Sequence, residues 1–400
     1  MPLGVYISVP FCRTKCSYCN FASDVFSKAG FENYVVRVIE DVGNSPRMAN
    51  ELGCRFETEV DSIYLGGGTP SILETSQLTR LFCALREHFK IASGAEITVE
   101  CAPGTLSAGL IETLLCCGVN RVSLGVQSFV DQEARAVGRL HNRTTVLNEI
   151  EGLRKAGIHN INIDLIAGLP HQTPESWIYC LSEAIVTGAP HVSVYMLEVD
   201  EDSRLGRELI AGGTRYHAHF VPDEDATADF YLQACEMLSA AGVAQYEISN
   251  FARAGQESSH NLKYWTRQPY LGFGVDAHSM LPVRTGDPRA AMRFSTPDSL
   301  DAYLNHAALA VKAVPVAAAL EESFFLGLRL NRGVDFERLR SEFGQENLTA
   351  HAAAIEECVG EGLIERADTI IRLTPRGRLL SNEVFARFLT EEGAVGARSA

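Results

Sequence analysis

The chain has 400 residues, of which 46% are hydrophobic and 21% are charged, a balance typical of a globular protein with a large core. Its 35 Lys and Arg residues stand against 50 Asp and Glu residues, which gives a formal net charge of −15. Because nucleic acids and anionic membrane surfaces attract cationic proteins, we expect neither to be a partner of this chain.

The eleven cysteines indicate a reducing compartment. Secreted disulfide frameworks usually occur in small chains behind a signal peptide, and residues 1–10 lack the basic start and long apolar run of such a peptide. No later segment approaches the roughly 20 apolar residues that span a bilayer. We therefore expect a cytoplasmic protein without a membrane span, in which clustered cysteines indicate metal or redox chemistry.

Short runs rich in Val and Ile recur along the first half of the chain, each followed by a turn and a stretch with helical spacing. Strands that alternate with helices predict βαβ units and a parallel sheet. Such units in roughly 200 residues fit a doubly wound sheet or an incomplete barrel, since a full barrel needs about 250. The predicted strands are Leu3 to Val9, Asp61 to Leu65, Glu96 to Glu100, Arg121 to Gly125, Asn160 to Leu165 and His191 to Leu197.

The fifth strand favours the barrel. Side chains alternate along a strand, so Asn162 and Asp164 share one face while the apolar residues between them share the other. A strand covered by helices on both faces would be almost continuously apolar. The fold class predicted is therefore α/β, an incomplete (βα)6 barrel with a polar interior.

Three units are predicted along the chain. Residues 1–215 form the partial barrel, and residues 216–314 form a helical and β extension that includes a helix capped by Asp223. Within that extension, the Pro-, Gly- and Arg-bearing segment Pro282 to Pro297 is interpreted as a linker or an excursion. Residues 315–390 form a C-terminal α+β unit whose helices and final hairpin resemble a winged helix.

The winged-helix pattern often occurs in DNA-binding proteins. Residues 315–400 contain 10 Arg, no Lys and 14 Asp or Glu, a net charge of about −4. This balance disfavours a phosphate-binding face and favours a structural or protein-contact role. A redox regulator that binds DNA through this unit remains the least favoured function.

Three cysteines follow directly on the first predicted strand. Cys12, Cys16 and Cys19 have the spacing Cys-x3-Cys-x2-Cys, and thiolates from one short loop are typical ligands of an iron–sulfur cluster. Three ligands leave one iron of a four-iron cluster open to an exchangeable ligand. A zinc site would need a fourth Cys or His nearby, which this stretch lacks. Three incidental thiols are disfavoured because the other cysteines are mostly isolated within apolar stretches.

A glycine motif ends the second predicted strand, in the sequence Gly66-Gly67-Gly68-Thr69-Pro70. Consecutive glycines let a backbone approach a ligand closely, although alone they would suit an ordinary turn. Together with the cysteine triplet, the motif resembles the radical S-adenosylmethionine (SAM) superfamily. The resemblance implies that the three cysteines hold a 4Fe-4S cluster and that SAM chelates the fourth iron, where its reductive cleavage gives a deoxyadenosyl radical.

The similarity narrows to the oxygen-independent coproporphyrinogen III oxidase group. It is carried by Tyr6 to Cys12, Tyr64 to Pro70, Glu100 to Gly104, Gly125 to Phe129, Arg139 and Asp164 to Pro170. Glu100, Gln127 and Asp164 also stand at the carboxyl ends of predicted strands, where barrel active sites form. In the group, the matching positions surround SAM, and here they are Tyr6, Tyr18, Gly67, Gly68, Thr69, Glu100, Gln127, Arg139, Asp164 and Met196.

Two departures separate the chain from the oxidase itself. The oxidase has a further cysteine where this chain has Phe21, and it carries a long amino-terminal extension before the first strand. Both departures match the HemW branch, whose members are regarded as heme-binding chaperones. The resemblance thus implies a protein that carries heme to acceptor proteins, including membrane-associated ones. Oxidative decarboxylation of coproporphyrinogen III is the enzymatic alternative, and whether SAM is cleaved stays open.

A second motif of that branch, His-Asn-x-x-Tyr-Trp, matches residues His260 to Trp265. Histidine is a common axial ligand of heme iron, and aromatic rings can flank a flat macrocycle. The heme candidates are His260, Tyr264 and Trp265, with His278 as the rival iron ligand. The group usually has a smaller residue at Asp276, and the alternative for the motif is a polar loop with a core-anchoring Trp.

Overall fold

Strands and helices alternate through the first half of the chain in the computed structural model, which describes residues 1–389. All six predicted strands are confirmed. The glycine motif begins inside the second strand, and the third strand is much longer than predicted. Their bounds are β1 Leu3–Val9, β2 Glu59–Gly67, β3 Lys90–Cys101, β4 Arg121–Gln127, β5 Asn160–Ala167 and β6 His191–Met196.

Four of the seven helices in this half begin at a residue whose side chain caps the first turn. The side chains of Ser107, Asn142, Thr173 and Ser203 each accept a hydrogen bond from a backbone N–H in the first helical turn, which satisfies donors that the helix leaves unpaired. The helices are α1 Lys28–Glu51, α2 Thr75–His88, α3 Ala108–Cys116, α4 Asp131–Ala136, α5 Arg143–Lys155, α6 Pro174–Val186 and α7 Arg204–Ala211.

The extension continues the same sheet. Asp223 caps a helix as predicted, with its Oδ1 accepting from Ala226 N at 2.8 Å. The helices are α8 Glu224–Ala240, α9 Ser259–Trp265 and α10 Leu300–Leu304. The strands are β7 Ala244–Gln245, β8 Asn250–Ala252, β9 Tyr270–Gly274, β10 His278–Pro282, β11 Ala291–Ser295 and β12 Ala310–Val314.

One twelve-stranded sheet joins the barrel to the extension, in the order β12-β11-β10-β9-β1-β2-β3-β4-β5-β6-β8-β7. β9 pairs parallel with β1, which places it beside the six predicted strands. The interpretation of 282–297 as a linker is wrong, because β11 lies within it and pairs antiparallel with β10 and β12. The boundaries at 215 and 314 stay predictions.

The interior of the barrel is polar, as the alternation in β5 predicted. Asn162 Nδ2 donates to Ser123 Oγ at 2.7 Å and to Ser193 Oγ at 3.0 Å, while its Oδ1 lies 2.6 Å from His191 Nδ1. The buried residues Ser62, Glu96, Asn162, His191 and His260 are called the lower layer below.

The C-terminal unit has its own core, in which Phe324 stacks on Phe388 with ring centroids 5.0 Å apart. Its strands form a three-stranded antiparallel sheet in the order β13-β15-β14, which suits the winged-helix pattern. Residue 390 of the predicted unit lies outside the described residues. The elements are α11 Val316–Arg329, β13 Val334–Asp335, α12 Phe336–Phe343, α13 Gln345–Thr349, α14 Ala352–Gly360, β14 Ile364–Ala367, β15 Ile370–Leu373, α15 Pro375–Leu379 and α16 Ser381–Ala386.

Ion pairs fasten the C-terminal unit to the extension. The buried carboxylate of Glu322 in α11 lies 2.7 Å from Arg267 Nε and 3.0 Å from Arg293 Nη2. A buried carboxylate is stable only when it is paired, so this contact fixes α11 against the sheet. Among the described residues, none of the helices combines the length and apolar character needed to cross a bilayer.

Candidate functional site

The cysteine loop, residues 10–24, follows β1 and is held from several sides. Cys12 N donates to Asp24 O at 3.0 Å, which closes the loop. Lys15 Nζ donates to Phe21 O at 2.7 Å and to Ser23 O at 2.5 Å. The loop also receives a hydrogen bond from the first turn of α7, at Leu205. These contacts gather Cys12, Cys16 and Cys19 in one fixed turn.

The three thiols are free and partly exposed. Cys12 Sγ accepts from Thr69 Oγ1 at 3.7 Å, and Cys16 Sγ accepts from Arg139 Nη1 at 3.6 Å. Burial raises the pKa of Cys12 and Cys19, so each free thiol stays protonated until a metal displaces its proton. Each sulfur also has a polar neighbour: Thr69 for Cys12, Arg139 for Cys16 and Lys15 for Cys19.

A four-iron cluster needs its thiolates on one loop, because each thiolate binds a different iron. Cys12, Cys16 and Cys19 lie on one loop that hydrogen bonds close, and all three thiols are free and partly exposed. Within residues 1–389, no three His, Cys, Asp or Glu residues form a site for a single metal ion.

The glycine motif allows the end of β2 to pack closely against the start of the cysteine loop. Gly68 N donates to Val9 O at 2.8 Å, and Thr69 N donates to Phe11 O at 2.7 Å. A Cβ atom on Gly68 would lie 2.7 Å from Phe11 O and 3.1 Å from Cys12 Sγ, so no larger residue fits. Gly67 has a φ of 95°, which glycine adopts without strain. The motif therefore brings peptide groups beside the predicted cluster.

Two acidic groups face each other inside the barrel near the ends of β3 and β5. Tyr64 Oη donates to Glu100 Oε1 at 2.8 Å, and Ser123 Oγ donates to Asp164 Oδ2 at 3.0 Å. Burial, together with the charge of Asp164, raises the pKa of Glu100 to about 7. Burial also raises the pKa of Asp164. A cationic or hydrogen-bond-donating ligand between the two carboxyl groups would therefore stabilise their charged forms.

Arg139 connects this region with the cysteine loop. Its Nη1 reaches Cys16 Sγ, and its Nη2 donates to Gly125 O. Its Nε is buried and has no hydrogen-bond partner among residues 1–389, an arrangement that favours an acceptor supplied by a ligand. Gln127, at the end of β4, has a φ of 68°, so the backbone turns sharply beside this arginine. The cysteine loop with Glu100, Gln127, Arg139 and Asp164 is called the rim below.

The remaining predicted SAM contacts are spread around the same end. Tyr18 packs against a buried apolar group below the cysteine loop, formed by Val137, Ile166 and Leu169. Met196 is the last residue of β6, and Tyr6 lies in β1 with its ring centroid 6.0 Å from that of Tyr64. Burial raises the pKa of Tyr6, which keeps this phenol neutral.

A cavity of about 320 Å³ opens between the glycine motif and the β9–β10 turn. Its lining includes three predicted SAM contacts, Tyr6, Gly67 and Gly68, and one residue of the second motif, Tyr264. Sequence reasoning missed Ser8, Ala22 and Tyr270, although Ser8 could have been found from the alternation in β1. The lining residues are Tyr6, Ser8, Phe21, Ala22, Gly67, Gly68, Tyr264, Tyr270, Asp276 and His278.

The second motif forms α9, and its three candidates have different surroundings. His260 is buried, with Nδ1 3.0 Å from Ser62 Oγ and Nε2 2.8 Å from Tyr264 Oη. Burial lowers the pKa of His260 to about 3, so its ring is neutral. Tyr264 lines the cavity, whereas the Trp265 ring lies 4.1 Å below the guanidinium carbon of Arg329. The motif thus contributes one cavity residue, Tyr264.

The rival histidine lies at the cavity. His278 Nε2 is 3.7 Å from Asp276 Oδ1, and the two side chains are 48% and 45% exposed. Asp276 has a φ of 54°, so a non-glycine residue occupies the left-handed region in this turn. Phe21, which stands where the oxidase has a cysteine, is 63% exposed beside the same opening.

Comparison with known proteins agrees with this geometry. Residues 6–183 match the radical SAM superfamily, and residues 314–380 match the HemN C-terminal domain. The chain is 33% identical to the heme chaperone HemW of Bacillus subtilis (strain 168), over 97% of this chain and 99% of that protein. It is also 33% identical to the heme chaperone HemW of Lactococcus lactis subsp. lactis (strain IL1403), with 98% of each covered.

Among solved structures, coproporphyrinogen III oxidase (HemN) from Escherichia coli matches with a TM-score of 0.82. The match covers 97% of this chain and 90% of that chain at 24% identity, a likeness that shows the shared fold. The fold and the cysteine loop define a radical SAM protein, a family that implies a 4Fe-4S cluster and SAM. Within that superfamily the chain belongs to the HemW family, because it aligns with these relatives over nearly its whole length.

Proposed function

We propose that this protein is a heme chaperone that binds heme in the cavity and passes it to acceptor proteins. The observation that carries the proposal is the near-complete alignment with proteins named heme chaperone HemW. The cavity supports it, because four aromatic rings line its wall, from Tyr6, Phe21, Tyr264 and Tyr270. Aromatic and apolar walls with a few polar groups are typical of sites for flat cofactors.

We infer that Cys12, Cys16 and Cys19 hold the 4Fe-4S cluster and that SAM lies along the rim. When bound, the cluster would supply an open iron for SAM and, if SAM is cleaved, the electron for that cleavage. The buried Nε of Arg139 suits the carboxylate of SAM, and Glu100 and Asp164 suit donors on the ligand. Gly67 and Gly68 lie where the rim meets the cavity, so their peptide groups would contact the methionine end of SAM while heme takes the side of Tyr264 and Tyr270.

The cavity is small for its proposed cargo. Ligand pockets have volumes of about 300 to 1,000 Å³, so a cavity of about 320 Å³ lies at the low end of that range. We therefore expect heme to enter with one edge while the opposite edge stays in solvent. A partly exposed cargo suits a carrier, because an acceptor protein can reach it.

Heme transfer provides the test of this function. The full-length protein, with its cluster reconstituted anaerobically, is loaded with heme and mixed with an apo heme protein such as apomyoglobin. We expect stoichiometric binding followed by the acceptor's spectrum. A protein that takes up no heme would contradict the proposal. Conversion of coproporphyrinogen III to protoporphyrinogen IX by the same preparation, with SAM and a reductant, would favour the oxidase instead.

The compartment and partners follow from the cysteines and the cargo. All eleven cysteines are free, which fits a reducing cytoplasm, where disulfides rarely persist. The partners would be heme and heme-acceptor proteins, including membrane-associated ones. Nucleic acid is not among the proposed partners because the net charge of −15 opposes phosphate binding.

A further inference from the structure

The histidines nearest the proposed heme site differ in whether a ring nitrogen is available. Both ring nitrogens of His260 are engaged, one by Ser62 and one by Tyr264, and the side chain is buried. An iron atom could reach Nε2 of that ring only if its hydrogen bond to Tyr264 broke and Tyr264 moved. His260 therefore supports Tyr264, which lines the cavity, and is not itself part of the lining.

His278 has the opposite surroundings. It is the histidine that lines the cavity, and about half of its side chain is exposed. Its Nε2 lies 3.7 Å from the carboxylate of Asp276, while its Nδ1 has no hydrogen-bond partner within residues 1–389. Metal-binding imidazoles commonly have one nitrogen on the metal and the other directed to a carboxylate. The pair of His278 and Asp276 already has the components of that arrangement.

The turn that carries the pair is held in place. Asp276 N donates to Pro297 O at 2.8 Å, and Ala277 N donates to Thr296 Oγ1 at 2.8 Å. On the other side, Val275 N donates to Ser8 O at 3.4 Å, which joins the turn to β1. A ligand on a fixed turn loses little conformational freedom when it binds, so the position is organised in advance.

An apolar side chain stands at the same opening. Phe21 lines the cavity and exposes 63% of its surface, which is unfavourable for a phenyl ring unless something covers it. The ring is anchored through its backbone, because Phe21 O accepts from Lys15 Nζ at 2.7 Å. A flat macrocycle that enters between Phe21 and the tyrosines of the wall would cover this surface.

We propose that His278 is the axial ligand of the heme iron, that Asp276 orients its imidazole, and that Phe21 covers one face of the macrocycle. This assignment rests on the proposed heme-chaperone function. In the binding step an imidazole nitrogen donates its lone pair to the iron, and no electron or proton changes hands. The ligand therefore comes from the β9–β10 turn and not from the His-Asn-x-x-Tyr-Trp helix.

A hemin titration of the full-length protein, followed by absorbance, tests the assignment. For His278→Ala we expect at least a tenfold weaker affinity and loss of the wild-type Soret position, and added imidazole should restore that position. The matched control is His159→Ala, because His159 is exposed and precedes β5 at the opposite end of the barrel. For Phe21→Ala we expect a roughly threefold weaker affinity with an unchanged Soret position.

The outcomes separate this assignment from the function on which it rests. If the wild type binds heme and His278→Ala binds it with the same affinity and spectrum, the assignment fails while the chaperone function stands. If the wild type binds no heme, the proposed function fails, and the assignment fails with it. Loss of the Soret position in His159→Ala as well as in His278→Ala would also overturn the assignment, because an exposed histidine far from the cavity would then matter equally.

Discussion

The lower layer and the rim lie one above the other in the same barrel, yet their polar groups are satisfied in different ways. In the lower layer, Glu96 accepts from the first turn of α9, and Asn162 and His191 are fully hydrogen bonded. In the rim, Arg139 keeps a buried Nε without a partner in the described chain, and Glu100 has a raised pKa. A satisfied network stabilises a fold, whereas an unsatisfied one indicates where a ligand completes it.

The contrast is not absolute. Arg121 lies beside the lower layer with its buried Nε 4.0 Å from Glu96 Oε2, and this Nε has no hydrogen-bond partner among residues 1–389. The two histidines show the difference more clearly, because His260 belongs to the satisfied network and His278 to the open cavity. The distinction teaches that a recognisable motif can mark a structural support, and it is the reason for proposing that the heme ligand comes from a neighbouring turn.

The largest effect is expected at the rim. Replacing Cys12, Cys16 and Cys19 together by Ala should abolish the cluster spectrum after anaerobic reconstitution, because no thiolate remains to bind iron. The free energy of unfolding of the metal-free protein should change by less than about 1 kcal/mol, since these thiols are partly exposed.

The control for that variant removes three other cysteines. Cys83 and Cys116 are exposed and Cys235 is partly buried, and all three lie outside the cysteine loop. Their joint replacement by Ala should leave the cluster spectrum unchanged. An unchanged spectrum in the variant that lacks Cys12, Cys16 and Cys19 would refute the radical SAM site altogether.

A substitution in the lower layer should lower the stability of the fold, whereas the rim substitutions should abolish ligand binding. His260→Ala should lower the free energy of unfolding by about 3 kcal/mol, because it leaves a cavity and removes a partner from both Ser62 and Tyr264. Urea unfolding followed by circular dichroism measures the loss. His278→Ala is the control and should cost about 0.5 kcal/mol or less, since half of that side chain is in solvent. Equal losses in the two variants would contradict the conclusion that His260 is a structural support and His278 is not.

Local sequence patterns predicted much of the barrel and missed the strand beside the cavity. The alternation in β5 predicted a polar interior because a strand with one face against the helices has an apolar residue at every second position. β9 has two glycines in five residues, and glycines inside a strand weaken the sequence pattern of that strand. A Cβ on Gly272 would collide with His278 O, and one on Gly274 with Ser8 O, so close backbone approach requires both glycines. Such a requirement is visible only when the neighbouring strands are in place.

The same limit applies to the site. The cysteine triplet was predictable because its ligands lie within eight residues, and a short loop brings them together whatever the rest of the chain does. The state of His260 was not predictable, because its hydrogen-bond partner Ser62 is 198 residues away in the sequence. The linker interpretation failed for a related reason, since β11 is stabilised by its two neighbouring strands.

The smallest effect concerns the carboxyl group of Glu100. Its pKa is about 7 in the folded chain, against about 4.3 in an unfolded chain. Between these values the folded state binds a proton that the unfolded state has lost, so stability falls as the pH rises and stays reduced above pH 7. Glu100→Gln keeps an acceptor for Tyr64 but removes the charge. It should therefore raise the free energy of unfolding by about 1 to 2 kcal/mol at pH 8 and by little at pH 4.

Urea unfolding at several pH values between 4 and 8 checks this expectation. The matched control is Glu337→Gln, because Glu337 is an exposed glutamate whose pair with Arg340 should contribute about 0.5 kcal/mol or less at any pH. Asp164 also has a raised pKa, so some decline towards high pH should persist in Glu100→Gln. If the variant were less stable than the wild type at pH 8, Glu100 would be a satisfied structural group, and the rim would resemble the lower layer in this respect.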